Sequence, residues 1–325
     1  MIGKHRVRIS NAKVKYDFEL KRNITVVQGN SGTGKTTLFE MVAEHTRLKD
    51  KSGVNISCDV PCVALVDLDW KNQLKRIKGS IVLIDEGADY ISKVDFAKAV
   101  NKSDNYYLLF TRENLYELPY SVNEIYKIKT SGKYHTLEPL YKERKGHLFG
   151  QSSQRIINNA GVILLEDSKA GFQFYKALFE GSDIQVVSAQ SNSSIYQWLN
   201  EHKGEAVLVI ADGAAFGAQM DRVMKTMNIR SNQITVCLPE SFEWLILKSG
   251  LIKAKDIKDV LETPYDFADS KLYFSWEQFF TSYLVKETNK TPFQYKKGKL
   301  NKVYLIEDNS RKIVEELILP AIRNQ

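Results

Sequence analysis

Residues 24–37 read Ile-Thr-Val-Val-Gln-Gly-Asn-Ser-Gly-Thr-Gly-Lys-Thr-Thr, and this stretch decides the fold of the first half of the chain. Its first four residues suit a buried strand, and the residues after its glycines suit a helix. Glycines allow consecutive backbone N–H groups to turn toward one anion, and the dipole of the following helix favours negative charge. The stretch therefore predicts a strand, a phosphate-binding loop and a helix in succession.

The loop fits the full Walker A spacing, in which four residues separate Gly29 from Gly34-Lys35-Thr36. We expect Lys35 to reach the β- and γ-phosphates of a nucleoside triphosphate and Thr36 to ligate magnesium. The predicted nucleotide-binding residues are Gly29, Asn30, Ser31, Gly32, Thr33, Gly34, Lys35, Thr36 and Thr37.

A second apolar run, Ile81–Ile84, ends in Asp85 and Glu86 and resembles the Walker B motif of ATPases. The resemblance implies that Asp85 faces the magnesium ion and that Glu86 is catalytic, near the attacking water. The adjacent acids favour ATP over GTP. Residues 101–104 spell the guanine-reading tetrapeptide of GTPases, but they precede a strand instead of following one, so we interpret them as a coincidence. The expected cofactors are ATP and Mg²⁺.

Further apolar runs predict the rest of a parallel sheet in the first half, after an opening hairpin. These are Arg6–Ile9 with Val14–Phe18, Val63–Val66, Tyr106–Phe110 and a half-exposed edge strand at Glu124–Lys129. The residues just after Phe110, Thr111-Arg112-Glu113-Asn114, are candidates either for a polar sensor of the γ-phosphate or for a simple strand cap.

The second half repeats a strand–helix alternation, which predicts a second α/β sheet. Its expected strands are Val162–Leu165, Ile184–Val187, Val207–Ile210 and Thr235–Leu238. Two of them are followed by acids, Glu166 and Asp212. Because strand C-termini line the ligand crevice of open α/β sheets, these carboxylates are candidates to converge on a divalent metal.

Glu166, with its following aromatic helix, and Asp212, with Gly213 and Gly217 downstream, resemble the Toprim domain of topoisomerases, primases and overcoming-lysogenization-defect (OLD) nucleases over residues 160–245. The resemblance implies that Glu166 and Asp212 are catalytic metal ligands for phosphodiester cleavage. Ala214 replaces the family's second acid and Asp167 its glycine. The domain has therefore either lost this chemistry or replaced the missing ligand by Asp167, Glu240 or Glu243.

Composition and charge indicate which partners and which compartment to expect. The formal net charge is +7, and six lysines with two aromatic residues in 286–302 suggest a basic, nucleic-acid-binding C-terminal extension. Histidines and cysteines lack metal-site spacing. Apolar runs are too short to cross a bilayer and the start lacks a signal-peptide core, so we expect a cytoplasmic protein without a membrane partner.

The overall expectation is an α/β protein in which a P-loop NTPase domain (1–145) precedes a smaller Toprim-like domain (158–325). This plan resembles OLD-type ATPase-nucleases, which implies that ATP gates a Mg²⁺-dependent nuclease, in anti-phage defence. Nucleic acid is the expected partner, and a partner protein or a homo-oligomer is also open. Alternatives are an ATP-dependent sensor or scaffold with a degenerate second domain, and a DNA motor with Arg112 as an arginine finger.

Overall fold

The computed structural model describes residues 1–29, 32–66, 69–144, 160–230, 233–317 and 321–323. The chain forms two compact units. The first comprises Met1–Tyr141 and Thr263–Ser275, and the second comprises Lys142–Glu262 and Trp276–Gln325. Residues 145–159, which include most of the polar stretch expected to separate two domains, lie outside the described residues. The return of Thr263–Ser275 to the first unit differs from the simple linear division that the sequence suggested.

The first unit is built on a mixed sheet with helices beside it. Its strands are β1 (His5–Ser10), β2 (Lys15–Leu20), β3 (Ile24–Val27), β4 (Asn55–Ser57), β5 (Cys62–Ala64), β6 (Ile81–Ile84), β7 (Tyr106–Phe110), β8 (Ile125–Ser131) and β9 (Tyr134–Pro139). Its helices are α1 (Lys35–Leu48), α2 (Trp70–Arg76) and α3 (Val94–Asn101). Within the described residues the strand order is β4-β1-β2-β9-β8-β3-β7-β6-β5.

The parallel part of this sheet runs β8-β3-β7-β6-β5. Every residue of β3, β6 and β7 is buried, as expected for apolar strands covered on both faces. Since β7 lies between β3 and β6, its C-terminal end lies between the glycine loop and the acids that follow β6. The hairpin β1–β2 is confirmed, and a strand lies at each expected apolar run, although β5 ends at Ala64 instead of Val66.

One expectation about this sheet is wrong. The alternating run at Glu124–Lys129 is not an edge strand, because β8 pairs with β3 on one side and antiparallel with β9 on the other. The β8–β9 connection turns at Gly132, whose φ of 59° suits glycine. Burial along β8 does not alternate either, because its first residues are buried or half-buried and its last three are exposed.

The second unit contains a parallel sheet with the order β12-β11-β13-β14 in its described part. Its strands are β11 (Val162–Leu165), β12 (Gln185–Ser188), β13 (Val207–Ile210) and β14 (Ile234–Cys237), preceded by β10 (Lys142–Arg144), which pairs with β15 (Ala321–Arg323). Its helices are α4 (Ala170–Leu178), α5 (Asn192–Glu201), α6 (Gly217–Ile229), α7 (Phe242–Lys248), α8 (Ile257–Glu262), α9 (Trp276–Glu287) and α10 (Glu307–Glu315). The two sheets confirm the expected mixed α/β class.

No helix in the described part of the chain combines the length and the apolar character needed to cross a membrane.

Candidate functional site

The glycine loop after β3 has positive φ angles at its three glycines. Gly29, Gly32 and Gly34 have φ angles of 146°, 79° and 97°, which L side chains rarely adopt. A Cβ atom on Gly34 would lie 2.8 Å from the hydroxyl oxygen of Tyr16, and that hydroxyl donates a hydrogen bond of 2.9 Å to the Gly34 carbonyl. Asn30 and Ser31, two of the predicted nucleotide-binding residues, lie outside the described residues.

Lys35 begins α1 directly after this loop. Its side chain is only 5% exposed, and its ammonium group donates a hydrogen bond to the carbonyl of Gly29. Burial lowers the pKa of Lys35, and the charge of Arg112 acts in the same direction, while Glu86 and Asp85 oppose both. The buried ammonium group is therefore already directed to the concave side of the loop.

The acids after β6 lie close to this lysine. Glu86 contacts Arg112 at 2.5 Å through one carboxylate oxygen, and its other oxygen lies 3.9 Å from the Lys35 ammonium. Asp85 has a buried oxygen, Oδ1, that accepts no hydrogen bond among the described residues. An unsatisfied carboxylate oxygen is a good ligand for a hard divalent cation. Asp85 therefore fits the expected magnesium ion.

Lys35, Thr36 and Glu86 line a cleft of about 340 Å³, a size typical of small-molecule sites, whereas Asp85 is absent from its described lining. Its walls include Gly32, Thr33, Gly34, Lys35, Thr36, Thr37, Glu86 and Arg112. Arg112 was the candidate arginine finger, but here it pairs with a carboxylate of its own chain.

The far wall of the cleft contains residues that the sequence analysis did not single out. His135 stacks on Tyr16 with ring centroids 4.6 Å apart, and its Nδ1 lies 2.9 Å from the Thr130 hydroxyl. Its Nε2 is buried and has no hydrogen-bond partner among the described residues. The sequence carried no spacing signal for these residues, because β2, β8 and β9 meet only through sheet pairing.

The second candidate site lies where β11 and β13 end. The backbone N–H of Asp212 donates a hydrogen bond of 3.1 Å to the Glu166 carboxylate. The two acids meet because β11 and β13 are neighbours and parallel, which places their C-terminal ends side by side. The structure thus brings together the two acids that the sequence could only propose as a pair.

A small cavity of about 40 Å³ adjoins both acids. Asp167, Glu243, Tyr295 and Lys297 also line it. The Tyr295 hydroxyl donates a hydrogen bond of 2.8 Å to Glu243, and the Lys297 ammonium donates to Glu277. The Lys297 carbonyl also accepts a bond of 2.9 Å from the N–H of Ala170, which ties this segment to the start of α4.

The electrostatics of this cavity are dominated by burial. Burial raises the pKa of Glu166 to about 7 despite the opposing hydrogen bond from Asp212, and burial together with the Glu166 charge raises the pKa of Asp212 well above its usual range. Burial by itself would lower the pKa of Lys297, but the carboxylates of Glu243, Glu277 and Asp212 outweigh it and raise that pKa. Lys297 therefore supplies positive charge to an acidic cavity.

The cavity offers few side-chain ligands to the expected divalent metal. Among the described residues no three metal-ligating side chains come together. A water requires roughly 10–15 Å³ of such a cavity, so about 40 Å³ holds an ion with few of its waters. Glu166 and Asp212 thus fit a magnesium ion only if water or substrate supplies most of its six ligands.

Of the suggested replacement ligands, two line the cavity and one does not. Asp167 lines it but lies 3.4 Å from the ammonium of Lys169, and Glu243 is already bonded by Tyr295. Glu240 is absent from the described lining, as is Ala214, which is buried with 2% of its surface exposed.

The basic segment 286–302 differs from the surface that the sequence suggested. Tyr295 is 2% exposed and the Lys297 ammonium bonds Glu277, so these two residues face the protein. The other five lysines of the segment are exposed, and they are Lys286, Lys290, Lys296, Lys299 and Lys302. Four aromatic residues and one leucine that precede this segment are core, as expected, and they are Trp276, Phe279, Phe280, Tyr283 and Leu284. No spacing in the sequence linked Glu277 or Lys297 to Glu166.

Comparison of the chain with protein families, with curated proteins and with solved structures gave no match. The functional argument therefore rests on the chemistry of the two sites.

Proposed function

We propose that this protein binds ATP with Mg²⁺ at the glycine loop and hydrolyses it. One observation carries the proposal: the buried Lys35 ammonium follows a glycine loop and lies within electrostatic range of Asp85, whose Oδ1 lacks a partner among the described residues. This arrangement presents backbone N–H groups and one cation to phosphates, and one carboxylate to a metal.

Each residue has a role in this proposal. Lys35 binds the β- and γ-phosphates. Thr36 and Asp85 would hold Mg²⁺, which would supply positive charge beside the phosphate oxygens. Glu86 orients the attacking water and accepts its proton. Arg112, from the end of β7, exchanges Glu86 for the γ-phosphate when nucleotide enters.

The test is a titration of the protein with fluorescent analogues of ATP and GTP. Lys35→Ala removes a charge-assisted bond, so affinity for the ATP analogue falls about 10- to 150-fold, equivalent to about 1.5–3 kcal/mol. Lys51→Ala, at an exposed position of the same unit, is the control and leaves affinity unchanged. Equal affinity in the Lys35 variant would contradict the proposal, and tighter binding of the GTP analogue would contradict the choice of ATP.

The second unit is proposed to be a Toprim-like nuclease that the nucleotide state gates, as in phage-defence nucleases. The contact between Asp212 and Glu166 supports this role. Water attacks the phosphorus, the bond to the leaving sugar oxygen breaks, and that oxygen takes up a proton. Burial raises the pKa of Glu166 to about 7, but Mg²⁺ held by Glu166 and Asp212 would favour the charged carboxylate, which can accept the proton of the attacking water.

A partner-recruiting scaffold is the alternative for this unit, and one observation favours it: the described residues offer no third metal ligand at the acids. Plasmid DNA and bulk RNA, incubated with Mg²⁺ or Mn²⁺ and with or without ATP, separate the two functions. Cleavage that is lost in Glu166→Ala/Asp212→Ala supports the nuclease, and its absence in the wild type supports the scaffold. A cleavage rate that changes neither on addition of ATP nor in Lys35→Ala would contradict the proposal that the nucleotide state gates the nuclease.

A further inference from the structure

A groove between α2 and the end of α3 collects lysines from two parts of the chain. It has a volume of about 350 Å³. The lysine groove, as we call it, is lined by Lys71, Lys75, Lys78, Lys98 and Lys102, with Trp70, Leu74, Asp95, Ala99 and Ser103. Five lysines and one carboxylate give it a formal charge of +4, more than half of the +7 of the whole chain.

Most of this charge is not neutralised by the protein. All five lysines are exposed. Of these five lysines, only Lys71 forms an ion pair within the described residues, with Asp95 at 2.5 Å. Lys71 with Lys75 and Lys98 with Lys102 are like-charge pairs four residues apart, a spacing that destabilises helices. The last turns of α2 and α3 offset part of this cost, because cations are favoured at helix C-termini.

The floor of the groove indicates how a ligand would be recognised. The Trp70 ring is 8% exposed and stacks on Tyr90 with ring centroids 4.8 Å apart, so it is not available to stack on a base. What the groove presents is a set of flexible ammonium groups, which bind phosphates as point charges. This chemistry reads a phosphate backbone and not a base sequence.

We propose that the lysine groove binds the sugar–phosphate backbone of a nucleic acid without regard to base sequence. The proposal rests on the proposed function, because it names the surface by which that function's nucleic acid is held. A concave groove also favours a strand over a flat lipid surface. The lysine groove places the nucleic-acid contact in the first unit, whereas the sequence had suggested a contact at segment 286–302 of the second unit.

The test compares two double variants that each remove two exposed lysines. Lys75→Ala/Lys98→Ala changes the groove, and Lys296→Ala/Lys299→Ala changes the C-terminal segment. Binding of labelled duplex and single-stranded DNA is measured by fluorescence anisotropy at several salt concentrations, in EDTA and without nucleotide. Chelation prevents metal-dependent cleavage, so the result depends on binding alone.

The groove variant is expected to lower the slope of log K against log salt by about 1.8 for duplex DNA, because each lost phosphate contact contributes about 0.9. The C-terminal variant keeps the wild-type slope, and Lys75→Arg/Lys98→Arg retains binding because the charge remains. Unchanged affinity of the ATP analogue shows that the groove variant is folded.

Three outcomes would overturn the groove as the binding surface: an unchanged slope in the groove variant, loss of binding only in the C-terminal variant, or binding of polyglutamate but not of DNA. These results are separable from the proposed function. If the wild type cleaves DNA and the groove variant binds DNA with an unchanged slope, the nuclease proposal stands and the groove proposal fails. If the groove variant loses binding but the wild type never cleaves, the groove proposal stands and the nuclease proposal fails.

Discussion

Glu86 lies between two cations, since Arg112 and Lys35 approach different oxygens of its carboxylate. Both contacts hold the carboxylate toward cations of the protein instead of toward an attacking water. A triphosphate would compete for the same two cations and so release Glu86 beside the γ-phosphate. In this proposal, binding of the nucleotide frees the Glu86 carboxylate to act as the general base.

Glu86→Gln tests this role. We expect ATP hydrolysis to fall about 10²- to 10⁴-fold, the usual contribution of a general base, while affinity for the ATP analogue is kept. Phosphate release and analogue titration measure the two effects separately. Glu113→Gln, at an exposed position nearby, serves as the control and retains hydrolysis. Equal hydrolysis by wild type and Glu86→Gln would remove Glu86 from the mechanism.

Glu166 predicts a pH dependence of stability. Burial raises its pKa from 4.5 to about 7, so the folded protein keeps a proton that the unfolded chain has already lost between these values. The free energy of unfolding therefore falls as pH rises from about 4.5 to 7, by at most about 3 kcal/mol from this group. Glu166→Gln should gain stability relative to wild type over the same range.

Denaturant titrations at several pH values measure this difference. The control is Glu180→Gln, whose side chain is exposed and should follow the wild-type pH profile. Mg²⁺ bound by Glu166 and Asp212 would favour their charged forms and flatten the wild-type profile. A Glu166→Gln profile parallel to that of wild type in EDTA would show that burial does not disfavour the charged carboxylate.

At the scale of elements, the exits of β13 and β14 pack against each other and thereby fix Asp212. Gly213 donates its N–H to the Pro239 carbonyl at 2.6 Å, and a Cβ atom on Gly213 would lie 2.5 Å from the Leu238 carbonyl. Backbone atoms cannot yield as the end of a flexible side chain can. Glycine is therefore required here by a close approach between two strand ends.

Gly213→Ala should lower the free energy of unfolding by about 1–3 kcal/mol, the usual range for an overpacked site, and should displace Asp212. Gly204→Ala is a matched control, because a Cβ atom there meets nothing within 4 Å. Chemical denaturation compares the two variants, and any metal-dependent cleavage reports on Asp212. Equal stability of both variants would show that the strand ends separate easily.

At the scale of the whole molecule, the first unit is completed by a segment more than a hundred residues downstream. Gly3 donates its N–H to the Tyr265 carbonyl at 2.7 Å, and the Asn23 side chain donates to the Phe274 carbonyl at 2.8 Å. Ser270 donates its N–H to the Met1 carbonyl at 3.0 Å. The segment Thr263–Ser275 therefore belongs to the first unit by its hydrogen bonds.

A fragment ending at Tyr141 should consequently be less stable than one in which a Gly/Ser linker joins Tyr141 to Thr263–Ser275. Three hydrogen bonds at about 1 kcal/mol each predict a rise of several degrees in melting temperature for the linked form. A linked segment of scrambled order is the control and gives no rise. Identical melting of all three forms would show that the segment contributes nothing to the first unit.

The sequence by itself determined the strands and the glycine loop. Runs such as Ile81–Ile84 and Val207–Ile210 are local signals, since an apolar run between polar residues must be buried wherever its strand pairs. The positive φ angles at Gly29, Gly32 and Gly34 are also local, because they depend on the absent Cβ atom.

Only the tertiary structure decided which of these elements are neighbours. It brought Glu166 to Asp212 and Lys297 to Glu277, made β8 an interior strand, and joined the lysines of α2 and α3 in one groove. Periodicity reports how deeply an element is buried, whereas the order of strands and the meeting of distant side chains depend on long-range packing that no local pattern encodes.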